Sequence, residues 1–239
     1  TVTSVLRATS RPGTVNTLPP ATVKPNVSTG NQVLNNLIGL KANGAGRLPN
    51  QGSGVMVYNA SSNKIGGATG TGNVIASNQG NGVTIMAQPG RPADGNTVEG
   101  NYIGTDKTGT ITDPDGVPGS GDELGNQYNG VAIGNASSNT IGGTTTGARN
   151  VIAGNAQGIL ITDPDATQNK VIGNAIGTDV TGVITRLGNL GVGVAITNSA
   201  WQNSIGGTQS GEGNLIVYNG DRGVVIGSGN RNKVISNTI

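Results

Sequence analysis

The chain contains no cysteine and no histidine. Without cysteine there is neither a disulfide framework nor a thiolate metal site. Without histidine the commonest general base and the commonest metal ligand are both missing. Phenylalanine is absent too. One Trp and four Tyr are the whole aromatic stock, too little to stack the bases of a nucleic acid strand. A formal net charge of +2 adds no electrostatic case for such a partner. Charged residues make up 11% of the chain, against about 25% in ordinary globular domains. No apolar run approaches the roughly 20 residues of a membrane span. No signal-peptide pattern is visible, so the 239 residues read as a mature form or as a piece of a longer chain.

What the chain has in excess is Gly, 43 residues, and Asn, 30 residues. Few charges and much Gly are compatible with disorder, but Val and Ile recur in phase here, which a disordered chain has no reason to maintain. The phrase N-K-I-G-G at 63–67 returns as N-T-I-G-G at 139–143 and N-S-I-G-G at 203–207. A second phrase, N-Y-I-G-T-D at 101–106, returns as N-A-I-G-T-D at 174–179. Repetition this close indicates stacked copies of one unit.

Each unit opens at an Asn: Asn31, Asn63, Asn96, Asn139, Asn169, Asn203 and Asn232, spaced 29 to 43 residues apart. Two residues later stands Val33, Ile65, Val98, Ile141, Val171, Ile205 or Val234. A later G-V-x-I phrase supplies the pairs Val55/Val57, Val83/Ile85, Val131/Ile133, Ile159/Ile161, Val194/Ile196 and Val224/Ile226. Asn50, Asn78, Asn126, Asn155, Asn189 and Asn219 precede those pairs by four or five residues. The middle phrase alternates: N-x-I at Asn36, Asn101, Asn174 and Asn237, but N-V-I or N-L-I at Asn73, Asn150 and Asn214.

A spacing of two puts both members of a pair on one face of a strand. Helix is disfavoured, since Gly costs about 1 kcal/mol per helical position relative to Ala. Hairpins are open to an Asn/Gly-rich chain, but they do not explain why like phrases return every 30-odd residues. A parallel coil does, with about three short strands per turn and each turn lying on the one before. Val and Ile then fill a narrow interior. Asn tolerates left-handed backbone angles at the bends, and inward Asn amides hydrogen-bond along a ladder. The ladder expected is the set of unit starts from Asn31 to Asn232. Seven turns at about 4.8 Å make a rod of order 30 Å.

The phrases N-T-I-G-G-T, G-N-Y-I-G-T-D and N-G-V-A-I resemble the repeats of right-handed parallel β-helix proteins. These are the pectate-lyase-like superfamily in its broad sense, and above all the secreted bacterial surface proteins built from such repeats. The resemblance covers about residues 31–239. It implies an all-β, right-handed parallel β-helix (β-solenoid) of about seven turns and an extracellular or cell-surface location. It leaves function open, because that superfamily holds lyases, hydrolases, epimerases, tailspikes and adhesins.

Departures from a repeat are where specific function is expected. Residues 1–30 are basic and off-pattern, and read as an arm, lead-in strand or cap. Thr1, Val2, Thr3, Ser4, Val5 and Leu6 form a candidate pairing strand. At the other end the turn begun at Asn232 stops within its second strand. Val234, Ile235 and Ile239 there are candidate assembly residues, with copies of the chain or flanking repeats as partners. The longest unit carries an acidic insertion with Asp113, Asp115, Asp122 and Glu123. Calcium is the cation such a cluster would take, although the spacing matches no familiar calcium loop; the alternative is a solvated acidic turn. A second D-P-D, at Asp163 and Asp165, is expected on a different edge. Asp106 and Asp179 of the G-T-D phrases are expected to close turns by accepting backbone N–H groups.

Three functions follow. A non-catalytic extracellular rod, part of a surface fibre or filament built by end-to-end stacking or strand exchange, needs no special residues and is the reading preferred. A glycan-binding adhesin or tailspike-like module needs exposed aromatics or Asp/Asn on one edge. A calcium-dependent polysaccharide lyase, as the resemblance implies, needs a basic residue beside the acidic site, with Arg149, Lys170 and Arg222 the candidates. The G-H-G signature of the superfamily's pectin hydrolases does not occur in this chain.

Overall fold

A computed structural model of the chain describes residues 28–44, 46–68 and 70–239. The candidate strand from Thr1 to Leu6 lies outside the described residues. The chain winds as a parallel β-solenoid. Its first sheet stacks Gln32–Val33, Lys64–Gly66, Thr97–Glu99, Thr140–Gly142, Lys170–Ile172, Ser204–Gly206 and Lys233–Ile235. The second stacks Leu37–Ile38, Val74–Ile75, Tyr102–Ile103, Val151–Ile152, Ala175–Ile176 and Leu215–Ile216. The third stacks Val55–Tyr58, Val83–Met86, Asn129–Gly134, Gln157–Thr162, Val194–Thr197 and Val224–Ile226. Two further strands, Ser28–Thr29 and Ala60–Ser61, pair with each other.

Seven strands in one sheet against six in each of the others make six complete turns, not seven. Asn232 opens a further turn that holds Lys233–Ile235 and an isolated bridge from Leu215 to Thr238. Counting unit starts overestimates by that last start. Helix among the described residues is confined to two 3-10 segments, Thr146–Ala148 and Thr185–Leu187.

The register places like residues over like. Ile65 pairs with Val98 in the first sheet, Ile103 with Ile152 in the second, and Ile133 with Ile161 in the third. Their side chains meet in one continuous core of Val, Ile and Ala. Stiff β-branched side chains suit this interior, because each needs only one rotamer to touch the copies above and below.

Asparagine forms three ladders, one at each corner. The first is the expected one, from Asn31 through Asn63, Asn96, Asn139, Asn169 and Asn203 to Asn232. The second joins the two middle phrases that alternate in sequence: Asn36, Asn73, Asn101, Asn150, Asn174, Asn214 and Asn237. The third runs from Asn50 to Asn219. At a typical rung the Asn63 backbone N–H and side-chain Nδ2 both donate to Asn96 Oδ1, at 2.9 and 3.0 Å. The second Nδ2 hydrogen reaches a backbone carbonyl, as from Asn150 to Val98 at 2.8 Å. Buried amides are costly when unpaired, and here the pairing is close to complete. Ser77 Oγ is the one buried side-chain polar atom without a partner among the described residues.

As expected, asparagines take left-handed angles at bends, at Asn35, Asn59, Asn135 and Asn198, but the ladder asparagines do not. The residue before them takes that conformation: Ser62 (φ 57°), Ser138 (φ 58°), Gln168 (φ 56°) and Gln202 (φ 57°) in the first ladder. A ladder Asn must aim its amide along the stack, and the chain reverses one residue earlier to allow it.

The alternation in sequence is an alternation of loops. Between the first and second sheets, long loops at 67–72, 143–149 and 207–213 alternate with tight bends. Between the second and third sheets, long loops at 39–49, 104–125 and 177–188 fall in the other turns. A loop that goes out and returns is wider than the rung spacing of about 4.8 Å, so each leans over a neighbouring tight bend. Gly100 N–H donates to Ala148 O at 3.0 Å, and Gly154 N–H to Leu187 O at 2.9 Å. The second set also covers apolar residues on the outer face of the second sheet. Leu40 and Leu124 pack with Val74 and Tyr102, and Leu187 packs with Val151 and Ala175.

Candidate functional site

The acidic insertion lies in the loop 104–125. Its base is closed by Asp106, whose carboxylate accepts from Thr108 Oγ1 at 2.8 Å and from the N–H groups of Thr110 and Ile111 at 3.2 and 3.1 Å. Asp179 does the same in 177–188, taking Thr181 Oγ1 at 2.7 Å and the N–H groups of Gly182 and Ile184 at 3.1 and 3.3 Å. Burial works against ionisation of Asp179, but these hydrogen bonds outweigh it and hold its carboxyl below the ordinary value.

At the tip, carboxylate oxygens of Asp113, Asp115 and Asp122 lie within 4.8 Å of one another. Glu123 does not join them; its carboxylate accepts the N–H of Gly119, and backbone hydrogen bonds of this kind hold it below its ordinary pKa. Desolvation first, then the hydrogen bond and charge of Asp115, push Asp113 up. Ser120 Oγ ties Asp122 at 2.7 Å, while Gly116 and Val117 N–H groups bond Asp113 and Asp115 at 3.0 and 2.8 Å. A hard cation needs six to eight oxygens. Three carboxylates, each already accepting a hydrogen bond within the loop, supply part of that set.

The basic residues beside this loop are Arg47 and Arg186. Arg47 Nη1 donates to Gly121 O at 2.5 Å. None of Arg149, Lys170 and Arg222 lines the cleft next to Asp113. Arg149 braces two backbone carbonyls, Gly173 at 3.0 Å and Val180 at 3.1 Å. Lys170 stands on the outer face of the first sheet, in a groove with Arg231, Lys233 and Glu212. Arg222 pairs with its neighbour Asp221 at 2.6 Å.

The third corner, between the third and first sheets, breaks the alternation. Here residues 88–92 are exposed, 135–137 are buried or half-buried, and Pro164, Asp165 and Trp201 are exposed again. A groove of about 470 Å³ lies across the recess. One wall is the turn Gln88–Arg91, pinned by Asn59, whose Oδ1 accepts Gln88 N–H at 2.8 Å and whose Nδ2 donates to Gln88 Oε1 at 3.1 Å. The other wall is Pro164 and Asp165 with Trp201, whose Nε1 donates to Pro164 O at 3.1 Å. Asn135, Ser137 and Thr167 form the floor. The second D-P-D therefore sits at a different corner from the acidic insertion. Sequence reading counted Trp201 but did not place it. The usable signal was its phase: like Asn135 and Asp165, it falls in the few residues before a first-ladder Asn.

Of the candidate assembly residues described, Val234 and Ile239 are 40% and 62% exposed and Ile235 is half-buried. No described helix is long and apolar enough to cross a membrane. No protein-family model, curated protein or solved structure matches the chain.

Proposed function

We propose that the chain is a non-catalytic structural β-solenoid, a segment or subunit of an extracellular or cell-surface fibre that grows by end-to-end stacking. It would stand among the secreted repeat proteins of the pectate-lyase-like superfamily, in keeping with its repeat phrases. The observation that carries the reading is the direction of the ladders. In all three, the earlier Asn donates and the later Asn accepts, as from Asn31 to Asn63 and from Asn203 to Asn232. Among the described residues, the Asn31 side thus ends on amide oxygens, and the side at Asn232 and Asn237 on N–H donors. The two faces are complementary, so the next rung can come from further repeats of the same chain or from a second copy. The exposed Val234 and Ile239 would be covered by the same rung.

The test is sedimentation and electron microscopy of the purified chain as its concentration is raised. Rods that lengthen in steps of about 30 Å are expected, and their loss on Val234→Lys. A monomer at every concentration overturns the stacking. Calcium-dependent release of unsaturated oligosaccharides from polygalacturonate, abolished by Asp113→Ala, would establish an enzyme instead.

A further inference from the structure

Beyond the scaffold role, we propose that the groove at the third corner binds a neutral oligosaccharide. The loops of the other two corners follow the two-turn rhythm and cover tight bends or the second sheet. The third corner does neither. Its projecting segments enclose space, and several unusual features of the chain meet there: the single Trp, the turn with Pro89 and Pro92, and the second of the two D-P-D phrases.

The lining matches a sugar chemically. Trp201 is 38% exposed, and its Nε1 is anchored to Pro164 O, so the indole is held in a fixed pose with part of its surface open. An indole held this way is a platform for the C–H face of a pyranose ring. Around it stand groups with no side-chain partner among the described residues: the Asn135 amide, the Ser137 hydroxyl, the Asp165 carboxylate and the Arg91 guanidinium. The ladder asparagines are bonded rung to rung, whereas the half-buried Asn135 keeps a free amide. Amide, hydroxyl and carboxylate together donate to and accept from vicinal hydroxyls.

Charge decides between ligands. Arg91 shares the groove with two carboxylates, Asp165 and Asp94, and Asp94 already accepts the Ser137 N–H at 2.8 Å. That balance disfavours a polyanion, whether uronate polymer or nucleic acid, and leaves a neutral polyhydroxylated ligand. The groove is lined from four successive rungs, three spacings or ~14 Å, which suits a short oligosaccharide rather than one sugar. Its walls are hydrogen-bonded in place before any ligand arrives, so binding orders little.

The test uses the whole chain on an immobilised array of neutral oligosaccharides, uronic-acid oligosaccharides and oligolysine. Trp201 is the only tryptophan, so its emission reports this groove alone. Retention on neutral members is expected, with an emission shift on titration of the retained sugar. Trp201→Ala should abolish retention, and Asp165→Ala, a change at an exposed side chain, should weaken it at least tenfold. Arg222→Ala, away from the groove, should leave it unchanged. No retention on any neutral member, retention only on uronates or oligolysine, or retention indifferent to both groove variants overturns the proposal.

Discussion

Two kinds of corner occur on this rod. Where the first sheet meets the second, and the second the third, long loops and tight bends alternate so that each loop rests on a neighbouring bend. Where the third sheet meets the first, the loops follow no such rhythm and enclose a groove instead. The difference shows how a repeat protein separates stability from specificity. At the alternating corners a residue is fixed by the rung above and the rung below. At the third corner the ladder Asn, the left-handed residue before it and the buried Ala93, Ala136, Ala166 and Ala200 are fixed so, and exposed residues further out are free to differ.

The sharpest way to break this comparison is at a glycine of the recurring N-x-I-G-G phrase. Gly142 has φ +92°, and a Cβ there would lie 2.0 Å from Ile172 O in the next rung. Gly142→Ala should cost about 3 kcal/mol or more, from left-handed strain and backbone displacement together, read as the urea unfolding midpoint. Gly90, in the third-corner turn, has a similar φ of +74° but open space around its Cβ direction. Gly90→Ala should cost about 1 kcal/mol.

Next in size is Leu124→Ala. Leu124 is fully buried against Leu40, Val74 and Ala76. Its truncation should cost about 2–3 kcal/mol, and protease sensitivity within 104–125 should rise first, because the loop is held by that contact. A smaller effect separates two carboxylates of the second set of loops. The folded-state pKa of Asp179 lies below 3.8, so its stabilisation is complete above that value and is lost as pH falls through the lower, folded pKa. Asp113, raised above 3.8, has the opposite sign: its ionisation opposes folding at neutral pH and that opposition is relieved on acidification. Asp179→Asn should therefore flatten the acid limb of the unfolding midpoint below about pH 4, and Asp113→Asn should leave that limb or steepen it. The smallest effect expected is from calcium. On the structural reading, millimolar calcium shifts the thermal midpoint by less than about 1 °C; a larger shift, removed by Asp122→Ala, would make the acidic tip a cation site.

Much of the fold was legible in the sequence because inward positions recur at fixed phase. Ile65, Val98 and Ile141 needed only alignment of the unit starts, and the first Asn ladder came with them. The second ladder was harder to see, since Asn73 and Asn101 belong to differently worded phrases. The wording differs because the loops differ, Asn101 leading into 104–125 and Asn73 into a tight bend. The loop cover of the second sheet was not legible. Leu40, Leu124 and Leu187 are single apolar residues in irregular loops, and no periodicity marks them. The groove was hidden in another way. Arg91, Asn135, Asp165 and Trp201 are 30 to 44 residues apart in the chain and meet only because turns stack. The acidic tip was visible as composition, yet the turning of Glu123 towards Gly119 depends on local geometry that composition does not carry.

The claim that recurring residues hold the fold while third-corner departures are free of that duty is tested most directly by one pair of unfolding curves. Asn150→Ala removes a rung of the second ladder: the Asn101 backbone N–H and amide lose Asn150 Oδ1, and Asn174 Oδ1 and Val98 O lose the Asn150 amide. Trp201→Ala removes a part-exposed side chain bonded only to Pro164 O. Urea denaturation should show a loss of about 3 kcal/mol or more for the first and less than about 1 kcal/mol for the second. Equal losses, or a larger loss at Trp201, would contradict it.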